Sequence, residues 1–149
     1  MQLLSCLASL LRVQEVAAWS NSSTVQVYNA LLAFVTHSKA KVRKAAHEAI
    51  RVVLKTSSFL LTETAPPYHP AAMITAKHCC KQIEESGGGD GATSTLHTLE
   101  LMRHVMASFS HSSLKSICET ILRIMTLGNV VSILLDDVLL YVLIADINY

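Results

Sequence analysis

Three stretches of this 149-residue chain carry residue types that do chemistry. They are the glycine run Gly87-Gly88-Gly89-Asp90-Gly91, the triplet His78-Cys79-Cys80, and a cation cluster between Lys39 and Lys55. A phosphate cradle needs a strand before the glycines and a Lys-Ser/Thr pair opening a helix after them, and neither stands beside Gly91. The glycine run therefore reads as a loop between helices. Zinc knuckles space their ligands two to four residues apart in pairs, whereas Cys79 and Cys80 are adjacent and project about 100° apart on a helix. Core cysteines are the better description. No local signature of a Ser-His or Cys-His hydrolase surrounds any Ser or Cys. Of the paired carboxylates, Glu84-Glu85 reads as a solvated helix end and Asp136-Asp137 as a turn in an apolar tail. No catalytic, cofactor-binding or metal-ligating residue is assigned.

The cation cluster is what remains. Lys39, Lys41, Lys44, Arg51 and Lys55 are the candidate contacts for RNA or for an acidic partner, and the competing description is the wet face of an amphipathic helix. Arg43 is expected to act structurally near the packing seam. No aromatic residues interleave with these charges, so stacking on single-stranded bases is not indicated.

A helix must position this cluster. Val42, Ala45, Ala46, Ala49, Ile50 and Val53 recur at i, i+3, i+4, i+7, i+8 and i+11, one continuous helical face. Half of that face is alanine, so a neighbouring helix can approach closely. Lys44, His47, Arg51 and Lys55 are expected on the opposite, solvated side. The same pattern recurs along the chain. A first helix is expected over about Leu3 to Ala18, and a second carries Val25, Tyr28, Leu31, Leu32 and Val35 after the capping run Ser20 to Thr24. The basic helix runs from Ala40 to Lys55. Thr56 to His69 is a loop, and Pro70 opens a helix with Ala72, Ala76, Cys79, Cys80 and Ile83 inward. Thr93, Ser94 or Thr95 is expected to cap the next, which turns Leu99, Met102, Met106 and Phe109 inward. The last stripe is Leu114, Ile117, Cys118, Ile121, Leu122 and Met125, with Glu119 and Arg123 as an i,i+4 pair. Helix starts near Thr24, Pro70 and Ser113 fall at the spacing of HEAT and armadillo units, and no strand alternation appears. The expected fold class is all-α, a HEAT/armadillo-like α-solenoid of antiparallel helix pairs with six or seven helices.

Composition agrees with helix-on-helix packing. The hydrophobic fraction is 51%, too high for disorder, while aromatics are only 5%. A net charge of +1 gives no global field toward nucleic acid, so any such contact must be local. The four cysteines lie in apolar helical settings, which favours a reducing, intracellular compartment. A signal peptide is not expected, since Met1 to Ala18 lacks a basic n-region and is interrupted by Arg12, Gln14 and Glu15. A membrane span is not expected in the tail, because Asp136 and Asp137 each cost roughly 2.5 to 3.5 kcal/mol at the centre of one. The isolated chain, with Leu3-Leu4 at one end and Val138 to Ile144 at the other, is expected to self-associate.

Several stretches also resemble one family. Leu4-Ser5-Cys6-Leu7, Val25-Gln26-Val27-Tyr28, Lys41-Val42-Arg43-Lys44-Ala45-Ala46, His69-Pro70-Ala71-Ala72, Ser94-Thr95-Leu96-His97 and Glu119 to Leu127 occur in that order. Together, over about Leu3 to Val130, they resemble the central HEAT-repeat region of the ribosomal-RNA-processing protein twelve-like family. The resemblance implies a non-enzymatic scaffold in pre-ribosomal RNA processing and in small-subunit maturation and export. It also implies a nuclear and nucleolar location. The implied partners are pre-ribosomal particle proteins, pre-ribosomal RNA, the Ran GTPase and nuclear-pore proteins. On this basis residues 1–149 form a partial HEAT segment of about three helix pairs, and the tail 132–149 departs from the family pattern. Two other functions fit the chain: a nuclear-transport or signalling adaptor of HEAT type, and a small hydrolase using Cys79 or Cys118 with a histidine.

Overall fold

The computed structural model describes residues 2–86 and 91–126, and every element among them is helical. In order these are α1 (Gln2–Arg12), α2 (Ser22–Leu32), α3 (Ala40–Thr56), α4 (Pro70–Ser86), α5 (Ala92–Val105) and α6 (His111–Thr126), with short 3-10 turns between them. The chain divides into two compact units, residues 1–75 and residues 76–149. The expected tail features from Leu127 onward, and the inward side chain of Met125, lie outside the described residues.

In the first unit, α1 packs more extensively on α3 than either does on α2. Their C-terminal ends are joined twice: Arg12 Nε donates to the Thr56 carbonyl at 3.1 Å, and Ser58 Oγ donates to the Arg12 carbonyl at 3.3 Å. Each end thus supplies a donor to the other's orphan terminal carbonyls. Helices in contact along their lengths with matching ends run in the same direction, and α2 returns between them. The buried stripes are rich in small residues, with Leu4, Ala8 and Leu11 on α1 and Ala46, Ala49, Ile50 and Val53 on α3. A seam of that kind lets two helix backbones approach closely.

The second unit repeats the arrangement. Cys80 on α4 is hydrogen-bonded to Thr120 on α6, and three to four residues on Arg123 donates to Glu84 at 2.8 Å. Both partners advance toward their C-termini together, so α4 and α6 also run parallel, with α5 returning between them. The stripes behind these bonds are Ala76, Cys79 and Ile83 on α4 and Leu114, Ile117 and Ile121 on α6. Gly91 has no room for a side chain, because a Cβ there would stand 2.7 Å from Ser86 Cα.

Several sequence expectations need correction. The first helix does not reach Ala18. It ends at Arg12, where Gln14 folds back to donate to the Leu10 carbonyl, and a 3-10 turn at Val16–Ser20 then buries Trp19. Helix α2 begins at Ser22, capped by Asn21 Oδ1 accepting from the Ser23 amide, and Val35 is buried in the turn after it rather than in the helix. Thr95 does not cap α5. The helix starts earlier, and Thr95 is a buried partner of Ser86 at 3.1 Å. Leu122 is exposed, since it lies at the edge of the Ile117–Ile121 stripe. Beyond its expected place on α6, Arg123 also bonds across to Glu84, a contact between helices that adds to the i,i+4 expectation and does not overturn it.

Candidate binding face on the third helix

Helix α3 carries the cation cluster, and its surroundings sort these cations by role. Arg43 is structural. Its guanidinium Nη1 donates to the His37 carbonyl at 2.9 Å and lies 3.5 Å from that of Ser38, closing the corner into α3. His37 Nδ1 accepts from the Lys39 amide at 3.0 Å in the same corner. Arg43 Nε, by contrast, is buried without a partner among the described residues.

His47 belongs to the interior, not to the solvated face. Its Nε2 lies 3.0 Å from the Val35 carbonyl, which can only accept, so that nitrogen carries the proton. The position is a boundary one, about 60° of helix rotation from Ile50 and 20° from Leu54. Packing against α3 from more than one side draws it in. Arg51 is engaged as well. It makes a bidentate pair with Glu48 at 2.6 and 2.8 Å, and that bond raises the Arg51 pKa further.

Lys41, Lys44, Glu48, Arg51 and Lys55 fall within one stripe about 80° wide, which spans about 21 Å from Lys41 to Lys55. Lys55 stands in the last turn, where a cation complements the negative end of the helix dipole. Lys39, Lys41 and Lys44 have no such explanation. They crowd the N-terminal end, which has no acidic residue in its first turn and no side-chain cap. Lys39 and Lys41, in the first turn, oppose the dipole by about 0.3 to 1 kcal/mol each, and Lys44 stands just beyond it. All three are exposed, and no hydrogen bond or ion pair joins them to another side chain among the described residues, apart from the backbone amide of Lys39. The structure thus places all five candidates on or beside α3, and it divides them into a free trio, a neutralised Arg51 and a dipole-compatible Lys55.

His69 and Cys79 are held in the interior. His69 accepts from the Ala71 amide at its Nδ1 (2.9 Å), so its Nε2 bears the proton and donates to Ser57 Oγ at 3.0 Å. Ser57 in turn donates to the Val53 carbonyl at 2.7 Å. The ring packs edge-on against Trp19 and tilted against Phe59. Burial lowers the His69 pKa to about 4, and protonation would also break the Ala71 bond. Nearby, Thr75 spends its proton on the Ala71 carbonyl, so the buried Tyr28 hydroxyl donates to Thr75 at 2.6 Å. Cys79 is fully buried, and burial pushes its thiol pKa up, away from a reactive thiolate. Cys80 is raised for the same first reason. Among the described residues no three His, Cys, Asp or Glu side chains gather as a metal site, and no helix is long and apolar enough to cross a membrane.

Comparison with known proteins agrees with this architecture. The profile of the family described as RRP12-like, N-terminal HEAT repeats, matches residues 1–135. RRP12-like proteins of Gallus gallus and Homo sapiens are 51% and 50% identical to the chain over 127 residues, 85% of its length. The Drosophila melanogaster RRP12-like protein is 38% identical over 141 residues. The chain spans about a tenth of the length of these curated relatives. On both fold and sequence, the chain belongs to the RRP12-like family, matching its N-terminal HEAT repeats and not the central region that the motifs suggest.

Proposed function

We propose that this chain serves as a non-enzymatic HEAT scaffold in pre-ribosomal RNA processing and small-subunit maturation and export, acting in the nucleus and nucleolus. Its α3 face contacts the phosphates of pre-ribosomal RNA. The single observation that carries the contact is the trio Lys39, Lys41 and Lys44 at the positive end of α3, an arrangement that costs stability and whose side chains make no bond within the described residues. Local rules broken without a structural return mark functional positions. The absence of aromatics among these cations fits contact with the phosphate backbone rather than with bases. Family membership supports the pre-ribosomal setting, in which ribosomal proteins, the Ran GTPase and nuclear-pore components are further candidate partners.

Purification of the tagged chain from nuclear extract is expected to enrich small-subunit precursor particles. Enrichment of transport cargo or of signalling phosphatases instead would support the adaptor function. Of the two thiols open to a hydrolase, Cys118 is half-buried and Cys79 is disfavoured by its full burial. Cysteine-reactive probes should label that thiol slowly in native buffer, and fast labelling near neutral pH would reverse this conclusion.

A further inference from the structure

His37 closes the turn before α3, and its polar groups can be accounted for one by one. Its amide donates to the Phe34 carbonyl at 3.2 Å, and its own carbonyl accepts from Arg43 Nη1 at 2.9 Å. Its ring stands 6.0 Å from that of Phe34, tilted by 33°, and Nδ1 accepts from the Lys39 amide at 3.0 Å. A ring nitrogen that accepts carries no proton, so Nε2 bears it as a neutral donor. That N–H is the one polar group of His37 that makes no bond among the described residues. The ring is half-buried, and Nε2 is not sealed from solvent. The donor is therefore fixed in direction, uncharged and unspent, beside the exposed Lys39, Lys41 and Lys44.

We propose that His37 is a further RNA contact of this face, its Nε2–H donating to a phosphate oxygen next to those held by the lysines. The inference rests on the assignment of the lysine trio to phosphate contact and adds a residue of a different kind. A lysine ammonium is a point charge on a flexible stem, so the trio attracts a backbone without fixing where it lies. His37 is already held by Phe34, Lys39 and Arg43, so its donor is ordered before RNA arrives and loses little rotamer freedom on binding. The setting selects a phosphate oxygen as the acceptor. The lysines concentrate anions at this corner, and hydrogen bonds to charged groups are the stronger ones. The two kinds of contact differ in one measurable respect. A lysine on a phosphate releases counterions, whereas a neutral donor releases none.

The test measures binding of oligouridylate, a single-stranded RNA, by the 149-residue chain over a salt series at mildly alkaline pH. Wild type is compared with His37→Asn and with the triple variant in which Lys39, Lys41 and Lys44 become Gln. Asparagine keeps the corner: Asn21 of this chain accepts from the Ser23 amide at 3.0 Å in the same i, i+2 arrangement, so the Tm is expected to hold. Its shorter side chain cannot place a donor where Nε2 stands. His37→Asn should weaken binding about three- to tenfold with the salt slope unchanged. Unchanged affinity, where the triple variant has lost slope, overturns the role of His37 and leaves the lysines in place. A loss accompanied by a fall in slope of about 0.7 overturns the neutral donor, since His37 then binds as a cation. A slope that survives the triple change overturns the phosphate assignment itself, and His37 with it. If His37→Asn does not fold, isotope-edited NMR of the wild-type imidazole provides the reading. RNA should shift the His37 Nε2–H signal while Nδ1 stays unprotonated, and an unmoved signal in the RNA-bound chain overturns the proposal.

Discussion

In residues 1–75 most of the described polar side chains that join one element to the next end on backbone, Tyr28–Thr75 and Ser57–His69 excepted, while in residues 76–126 the described bonds between helices pair side chains. Arg12 and Ser58 bind terminal carbonyls, Arg43 and His47 bind the carbonyls of the corner before α3, and His69 holds the first amides of α4. In the second unit, Arg123 meets the Glu84 carboxylate and Cys80 meets the Thr120 hydroxyl. Both units set their first and third helices parallel with the middle one returning, so the same geometry is reached in two ways. Backbone partners fix where a helix ends and in which direction the chain leaves it. Side-chain partners on an exposed surface add little, so the second unit depends on its apolar stripe of Cys79, Ile83, Ile117 and Ile121.

The largest expected effect comes from His69. Replacing it by alanine removes a cap, the bond to Ser57 and the contacts with Trp19 and Phe59, and is expected to cost about 2 to 4 kcal/mol. Thermal or denaturant unfolding measures this. The effect has a pH signature. The folded pKa of about 4 lies below the free value of 6.5, so the unfolded chain binds more protons between them. The stability that neutral His69 contributes is complete above pH 6.5 and declines as the pH falls toward 4, by up to about 3 kcal/mol. The gap between wild type and His69→Ala should narrow over that window, and a constant gap would remove His69 from its buried network.

Ala46 is fully buried, and Ala46→Leu is expected to overpack α3 at a cost of about 1 to 3 kcal/mol, read as a lower Tm. An unchanged Tm would show the small-residue seam to be loose. The smallest effect belongs to the second unit. Its ion pair is half or more exposed on the Arg123 side, so Glu84→Gln should cost at most about 1 kcal/mol and less in high salt. A loss above about 2 kcal/mol, beyond the range of exposed pairs, would mean that this bond, and not the apolar stripe, holds α4 to α6.

The helices were legible where periodicity is strong and a stop signal is local. Ala40, Pro70 and the run Ser20–Thr24 mark their helix starts to within two residues, and Ala46, Ala49, Ile50 and Val53 of α3 follow from spacing, whereas Val42 and Ala45 are half-buried and Met106 and Phe109 are buried beyond the end of α5. The failures have a common cause. Leu3 to Ala18 reads as one helix because nothing in Val13-Gln14-Glu15 forbids it, and the stop is set by Arg12 and Ser58 reaching across to other helices. His47 reads as a solvated cation because its partner, the Val35 carbonyl, lies in the preceding turn. The binding cluster was legible as a set of cations but not as a ranking. The Glu48 pair could be anticipated from i,i+3 spacing, whereas the structural role of Arg43 depends on the corner geometry.

The measurement that bears most directly on the proposed function is the salt dependence of RNA binding by the chain and two variants. In one, Lys39, Lys41 and Lys44 become Gln; in the other, Lys55 alone does. Removing one phosphate-bound cation lowers the slope of log K against log salt by about 0.7 to 0.9. We expect the triple variant to lose about 2 units of slope with its Tm unchanged or slightly raised, because cations are removed from the positive end of α3. Lys55→Gln should leave the slope nearly unchanged, well short of the roughly 0.7 that one lost phosphate contact would give. RNA binding whose slope survives the triple change would contradict the assignment of this face to phosphate contact.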